Sequence, residues 1–155
     1  MKTDKPTGEL AGILEKMDTG GLGEYLKTNK NELEGDYKRA FYNYFTEVLE
    51  TKGLKLKDVY RDSNMSEGLA GKLIRMEKHT KKRDYIIRLC VAGHFDLRET
   101  NKALKLYGMN ELYPKNSRDA CFIIAINNRV FDPYKIDEML EENGLAKLEA
   151  PQISP

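Results

Sequence analysis

The chain has 155 residues and a formal net charge of +1. That length fits one domain with extensions, and so small a net charge excludes a protein that coats nucleic acid through bulk charge, so charge must be read locally. Positions 72 to 83 carry Lys72, Arg75, Lys78, Lys81, Lys82 and Arg83 against Glu77 alone, a local +5 that leaves −4 for the remainder.

Apolar residues recur at helical spacing nearly throughout, which predicts an all-α fold. Helices are expected over 8–17, 20–34, 36–52, 56–62, 66–75, 82–93, 97–107, 117–129 and 133–143. Gly20-Gly21-Leu22-Gly23 breaks the first two, and Gly35 ends an N-terminal segment spanning 1–35. In the third helix Tyr37, Phe41, Tyr44, Phe45, Val48 and Leu49 fall three and four residues apart, on one face. The run Cys121 to Ile126 has the composition of a buried strand, but no partner strand exists, so it too reads as helix. The prolines stand at element boundaries.

Between 54 and 83 the order is short helix, turn, second helix, basic run. Val59 supplies the first helix with a core residue. Asn64 tolerates the positive φ of a tight turn, Met65 is apolar and buried, and Ser66 can cap the second helix. Leu69, Leu73 and Ile74 give that helix a buried side. The loop from Lys78 to Arg83 would then lie along a phosphate backbone.

An internal repeat fills the C-terminal half. Phe95-Asp96 is followed at offsets of nine and thirteen by Leu104 and Gly108, and Phe131-Asp132 at the same offsets by Leu140 and Gly144. Arg83-Asp84 opens the first copy and Arg118-Asp119 the second, which holds one extra residue. Asp96 with Glu99 makes a capping box, Asp132 with Pro133 a helix start, and each Gly a left-handed helix end. Each copy therefore reads as a helical hairpin, and both are expected simply to pack on the core.

Cys90 and Cys121 stand in separate apolar runs, with a spacing that fits neither a metal site nor a redox pair; both are expected to be buried free thiols. His79 and His94 are isolated, and Tyr42, Tyr44 and Tyr60 read as core or interface aromatics. No phosphate loop, nucleophile elbow or metal-ligand cluster is present, so no enzyme activity and no cofactor or metal is expected. The glycines at 20, 21 and 23 lack the strand of a dinucleotide site. Without a signal sequence or a membrane-length apolar segment, a soluble, cytoplasmic protein with no membrane partner is expected.

Residues 36 to 112 resemble the lambda-repressor-like, XRE-type helix-turn-helix proteins. The chain as a whole resembles small Firmicutes-type regulators of that family, with a short helical N-terminus and a C-terminal extension over 113–150. The likeness rests on Ser63-Asn64-Met65-Ser66, His79-Thr80-Lys81-Lys82-Arg83-Asp84 and Glu99-Thr100-Asn101-Lys102-Ala103-Leu104-Lys105-Leu106. In the extension it rests on Leu112-Tyr113-Pro114 and Arg118-Asp119. The resemblance implies a lambda-repressor-like core with a C-terminal helical hairpin, and a DNA-binding transcription regulator without enzyme activity. Base contacts are then expected from Glu67, Gly68 and Lys72, and phosphate contacts from Arg75, Lys78, His79, Lys81, Lys82 and Arg83 on double-stranded DNA. A homodimer is expected, with the hairpin 117–144 as the dimer or partner surface. The family's pattern is broken at Gly68 and Gly71, at Ala70 and at Tyr60. These departures support a second expectation, a protein-interaction module with this fold that has lost base readout.

Overall fold

The computed structural model describes residues 37–151, together with the single positions 11, 21 and 22. The helices expected over 8–17 and 20–34 lie outside that described stretch. Among the described residues the fold is all-α, without a strand. The helices are α1 (Tyr37–Thr51), α2 (Leu56–Asp62), α3 (Glu67–Ile74), α4 (Arg83–Ala92), α5 (Leu97–Leu106), α6 (Ser117–Asn127) and α7 (Pro133–Glu142).

Local chemistry sets their ends. Ser66 accepts the Leu69 N–H at 3.2 Å and caps α3. Asp96 accepts the Glu99 N–H at 2.8 Å while Glu99 accepts the Asp96 N–H at 2.9 Å, the reciprocal box the sequence predicts. Asp132 caps α7 ahead of Pro133. Each such cap satisfies an N–H that the helix itself cannot, a stabilisation of about 1 kcal/mol.

The apolar face of α1 buries Phe41, Phe45, Val48 and Leu49. It packs on α5 and α3; α2 packs on α3 and α4, α4 on α5 and α7, and α6 on α5 and α7. Phe41 meets Tyr107 edge-on with ring centroids 4.9 Å apart, and Phe45 packs on Phe95 at 4.7 Å. Cys90 and Cys121 are free and buried, and burial pushes both thiols above their ordinary range.

The two repeat hairpins, α4–α5 and α6–α7, do more than share a core: they hold each other. Arg118 donates to both carboxylate oxygens of Asp84, at 3.2 and 2.9 Å, and Arg83 donates to Asp119. Arg83 also donates to the carbonyls of Asn110 and Glu111, both at 3.3 Å. Arg118 does the same to Ala146 and Lys147, both at 3.0 Å. Asp119 accepts the Tyr113 N–H and Asp84 the Glu149 N–H, each at 2.9 Å. The Asn101 side chain accepts the Leu112 N–H at 2.9 Å, and Asp137 accepts the Leu148 N–H at 2.8 Å.

Each of these bonds thus has a counterpart in the other copy. The operation that carries one copy onto the other is its own inverse, which is the property of a local two-fold. Gly108 and Gly144, at φ +90° and +68°, permit the reversals that bring the straps 109–113 and 145–149 back across the helices. Leu112 and Leu148 plug those straps into the core, 5% and 4% exposed. The interlock crosses the boundary expected between 112 and 113. Two residues break the symmetry: Lys82 pairs with Glu149, and Arg88 binds the same strap. Arg88 on α4, 2% exposed, donates to the carbonyls of Leu148 and Glu149 at 2.9 and 2.7 Å, and burial lowers its pKa.

Candidate nucleic-acid interface

The surface that could meet a duplex is built from α2, the turn 63–66, α3 and the loop 75–82. Val59 is fully buried beneath α2, and Met65 is buried in the turn. Asn64 takes φ +59°, the left-handed conformation its short polar side chain tolerates. Ala70, Gly71, Leu73 and Ile74 face the core. Glu67, Gly68 and Lys72 are exposed on the other side of the same helix.

The two glycines of α3 differ in kind. Around Gly68 there is open space: a methyl group there would meet nothing within 4 Å. A methyl on Gly71 would lie 3.0 Å from the Arg75 guanidinium and 3.3 Å from the Tyr60 hydroxyl. Gly71 is therefore the gap into which Arg75 and Tyr60 close. Tyr60, Tyr42 and Tyr44 are partly buried against the core. Burial, with Glu99 nearby, raises the Tyr44 phenol.

The chain leaves α3 through a second left-handed residue, Met76 at φ +58°, whose side chain is 3% exposed. The N–H groups of Glu77 and Lys78 return to the carbonyl of Lys72, at 2.9 and 3.3 Å. That reversal brings Lys78 next to Lys72. The His79 ring stacks on Tyr107 with centroids 4.8 Å apart, and the Tyr107 hydroxyl accepts the Thr80 N–H at 3.1 Å. Thr80 in turn accepts the Lys82 N–H at 3.0 Å, so the loop is tied to Tyr107 on one side and to the start of α4 on the other.

The cations of this segment divide into two groups. Arg75 pairs with Glu77 at 2.9 Å, which raises the pKa of the Arg and lowers that of the Glu. Lys82 pairs with Glu149, which raises the pKa of its ammonium, and Arg83 is held by Asp119. Lys72, Lys78 and Lys81 are exposed and take no ion-pair partner among the described residues. His79 is exposed at its edge and lies beside them.

Contacts outside the predicted set frame this surface. The Tyr134 hydroxyl, from the first turn of α7, donates to the Asn64 side chain at 3.1 Å, so the C-terminal hairpin reaches the turn before α3. Tyr107 and Thr80 fix the loop. The sequence signal for Tyr107 is its place on the buried stripe of α5 just ahead of Gly108; nothing in the sequence points from Tyr134 to Asn64. Among the described residues no group of three His, Cys, Asp or Glu side chains could hold a metal ion, and no helix is long and apolar enough to cross a membrane. No protein-family model matches the chain, and no curated protein or solved structure is significantly similar to it.

Proposed function

We propose that the chain is a DNA-binding transcription regulator of the XRE type, with α2, the turn 63–66 and α3 as its lambda-repressor-like helix-turn-helix. The observation that carries this reading is the group of three free lysines beside α3. Lys72 lies on its exposed face, Lys78 is folded back against it, and Lys81 follows in a loop pinned by Tyr107 and Thr80. A fixed backbone with unpaired ammonium groups suits phosphate contact, because little is lost in ordering it. Lys72 and Glu67 are the side chains offered to base edges; Lys can reach guanine and Glu a cytosine amine. The reading involves no catalytic chemistry.

A second reading is supported by the same surface. Arg75 and Lys82 pair with Glu77 and Glu149 at the surface, Arg83 is held by Asp119, and Gly68 offers no side chain, so three of the six cations of the +5 segment already have an acidic partner. A protein-interaction module that keeps the fold without base readout would look like this.

The test is a salt titration of binding to duplex DNA, comparing wild type with the triple variant Lys72→Gln, Lys78→Gln, Lys81→Gln. On the DNA reading, log K falls steeply with log salt, and the triple variant loses up to three phosphate contacts, each worth about 0.9 in slope. Wild type that does not bind duplex DNA, or a triple variant with an unaltered slope, moves the assignment to the protein-interaction reading.

A further inference from the structure

The two copies are bonded alike through their Arg-Asp openings, so a contact made by only one of them is not required by the repeat. Lys82 and Glu149 make such a contact. Lys82 stands just before Arg83, and Glu149 closes the second strap. The equivalent places in the other copy are Ser117, just before Arg118, and Tyr113, and neither carries a charge. The added pair therefore lies at the one place where a strap meets the basic segment, and its acid stands 67 residues beyond its lysine.

Bonds that the carboxylate does not make hold this acid in position. The Glu149 N–H is bonded to Asp84 at 2.9 Å, its carbonyl accepts from Arg88 at 2.7 Å, and Leu148 beside it is plugged into the core. The side chain reaches Lys82 from an anchored backbone, so less freedom is lost in forming the pair. The pair itself stands in solvent, with the two side chains 52% and 53% exposed. An ion pair so exposed favours the joined state by about fivefold at most. Another anion can exchange with it. Lys81, next along the chain, is exposed and takes no ion-pair partner among the described residues. A phosphate drawn to Lys81 finds the neighbouring cation already answered by a carboxylate.

We propose that Glu149 is a built-in competitor for the anion that the basic segment binds. Its carboxylate occupies Lys82 in the free protein and has to leave before a phosphate takes its place. The inference rests on the DNA-binding reading and deepens it by naming the segment of the chain that restrains affinity. The strap 145–149 sets the strength of duplex binding through one cation, and leaves the positions on α3 that face the bases unaltered.

Two measurements on the full chain test this. The first needs no DNA: limited acylation of the lysine amines, located by mass spectrometry, with Lys81 as the internal standard. A paired ammonium gives up its proton less readily and reacts more slowly. Glu149→Gln should therefore raise the modification of Lys82 relative to Lys81 by about threefold to fivefold, the range of an exposed pair. The second is a salt titration on random-sequence duplex DNA with wild type, Glu149→Gln, Lys82→Gln and the double variant. Glu149→Gln should bind up to about fivefold more tightly at low salt, and should steepen the fall of log K with log salt by about 0.9, one further phosphate. Lys82→Gln should change little on its own and should cancel the gain in the Glu149→Gln background. All four proteins should share one circular dichroism spectrum, because the backbone bonds of the strap are untouched. An acylation ratio that Glu149→Gln leaves unaltered would show that the pair does not form in solution and would overturn the proposal. A pair that forms, with Glu149→Gln binding duplex at wild-type affinity and slope, would overturn it too while the DNA-binding reading stands. If none of the four proteins binds duplex, the DNA-binding reading falls and the competitor role falls with it.

Discussion

In the interlocked hairpins, Arg83 and Arg118 each meet a buried carboxylate and two backbone carbonyls. A few residues before Arg83, in the same basic segment, Lys72, Lys78 and Lys81 stand in solvent without an ion-pair partner among the described residues. The division follows side-chain chemistry. A guanidinium is a planar fork with several fixed donors, so one Arg can satisfy a carboxylate and two carbonyls together. An ammonium is a strongly hydrated point charge on a flexible stem, suited to a surface that must stay wet until a partner arrives. Like formal charges thus do architectural work in one region and remain available in the other, and net charge over positions 72–83 overstates what that segment offers to a ligand.

The largest effect is expected from breaking the lock. Arg118→Ala leaves Asp84 a buried carboxylate, 6% exposed, with only the Glu149 N–H to answer it, and orphans the carbonyls of Ala146 and Lys147. Removing one partner of a buried pair costs about 3–5 kcal/mol. Because the Arg118 side chain is 29% exposed, the lower end of that range is expected. Urea denaturation measures it. The reciprocal variant, Arg83→Ala against Asp119, should cost a similar amount. A loss well under 1 kcal/mol in either would show that the lock is a surface pair and that the contrast with the lysines is only one of geometry.

Helix positions, the capping box at Asp96 and Glu99, the start at Asp132-Pro133 and the left-handed Asn64 are all legible in the sequence, because each depends on neighbours within one turn. The repeat is legible as well, down to its paired Arg-Asp openings. What the sequence does not carry is the pairing: that Arg83 answers Asp119 and Arg118 answers Asp84 is a fact of tertiary placement. For the same reason the sequence cannot separate the three engaged cations, Arg75, Lys82 and Arg83, from the three free ones. Met76 takes a left-handed conformation that its residue type does not announce. Arg88 did leave a signal, a lone charge within Ile86-Ile87-Arg88-Leu89, which a reading for buried ions would catch.

A smaller effect sharpens the comparison between the two copies. Leu112 and Leu148 occupy equivalent places, each holding a strap whose N–H is bonded to the helix beneath. Truncating either to Ala should cost about 2–3 kcal/mol, the lower part of the range for buried Leu, since an end strap can partly collapse into the gap. Equal losses in the two variants, read from the same denaturation experiment, would express the two-fold energetically. A loss confined to Leu112→Ala would mean that the second hairpin contributes little to the stability of the fold, despite its symmetric bonds.

The smallest change bears on the open region. Gly68 is helical and exposed, and an added methyl would meet nothing within 4 Å. Gly68→Ala should therefore stabilise the protein by about 0.5–1 kcal/mol, through the conformational entropy that glycine loses on folding. Gly71→Ala should gain less, because its methyl would press on the Arg75 guanidinium at 3.0 Å and that side chain would have to move. The two substitutions separate helix propensity from surface chemistry. On the DNA reading, Gly68 is where α3 comes nearest the base edges, so the methyl that steadies the helix also obstructs the duplex. Stability should then rise while affinity for duplex DNA falls, with thermal melting and DNA binding measured on one preparation. If stability rises and affinity is unaltered, α3 does not approach the duplex at that point. The exposed side of the helix would then belong to a surface that Lys78 and Lys81, rather than the expected base-contacting positions Glu67, Gly68 and Lys72, bring to nucleic acid.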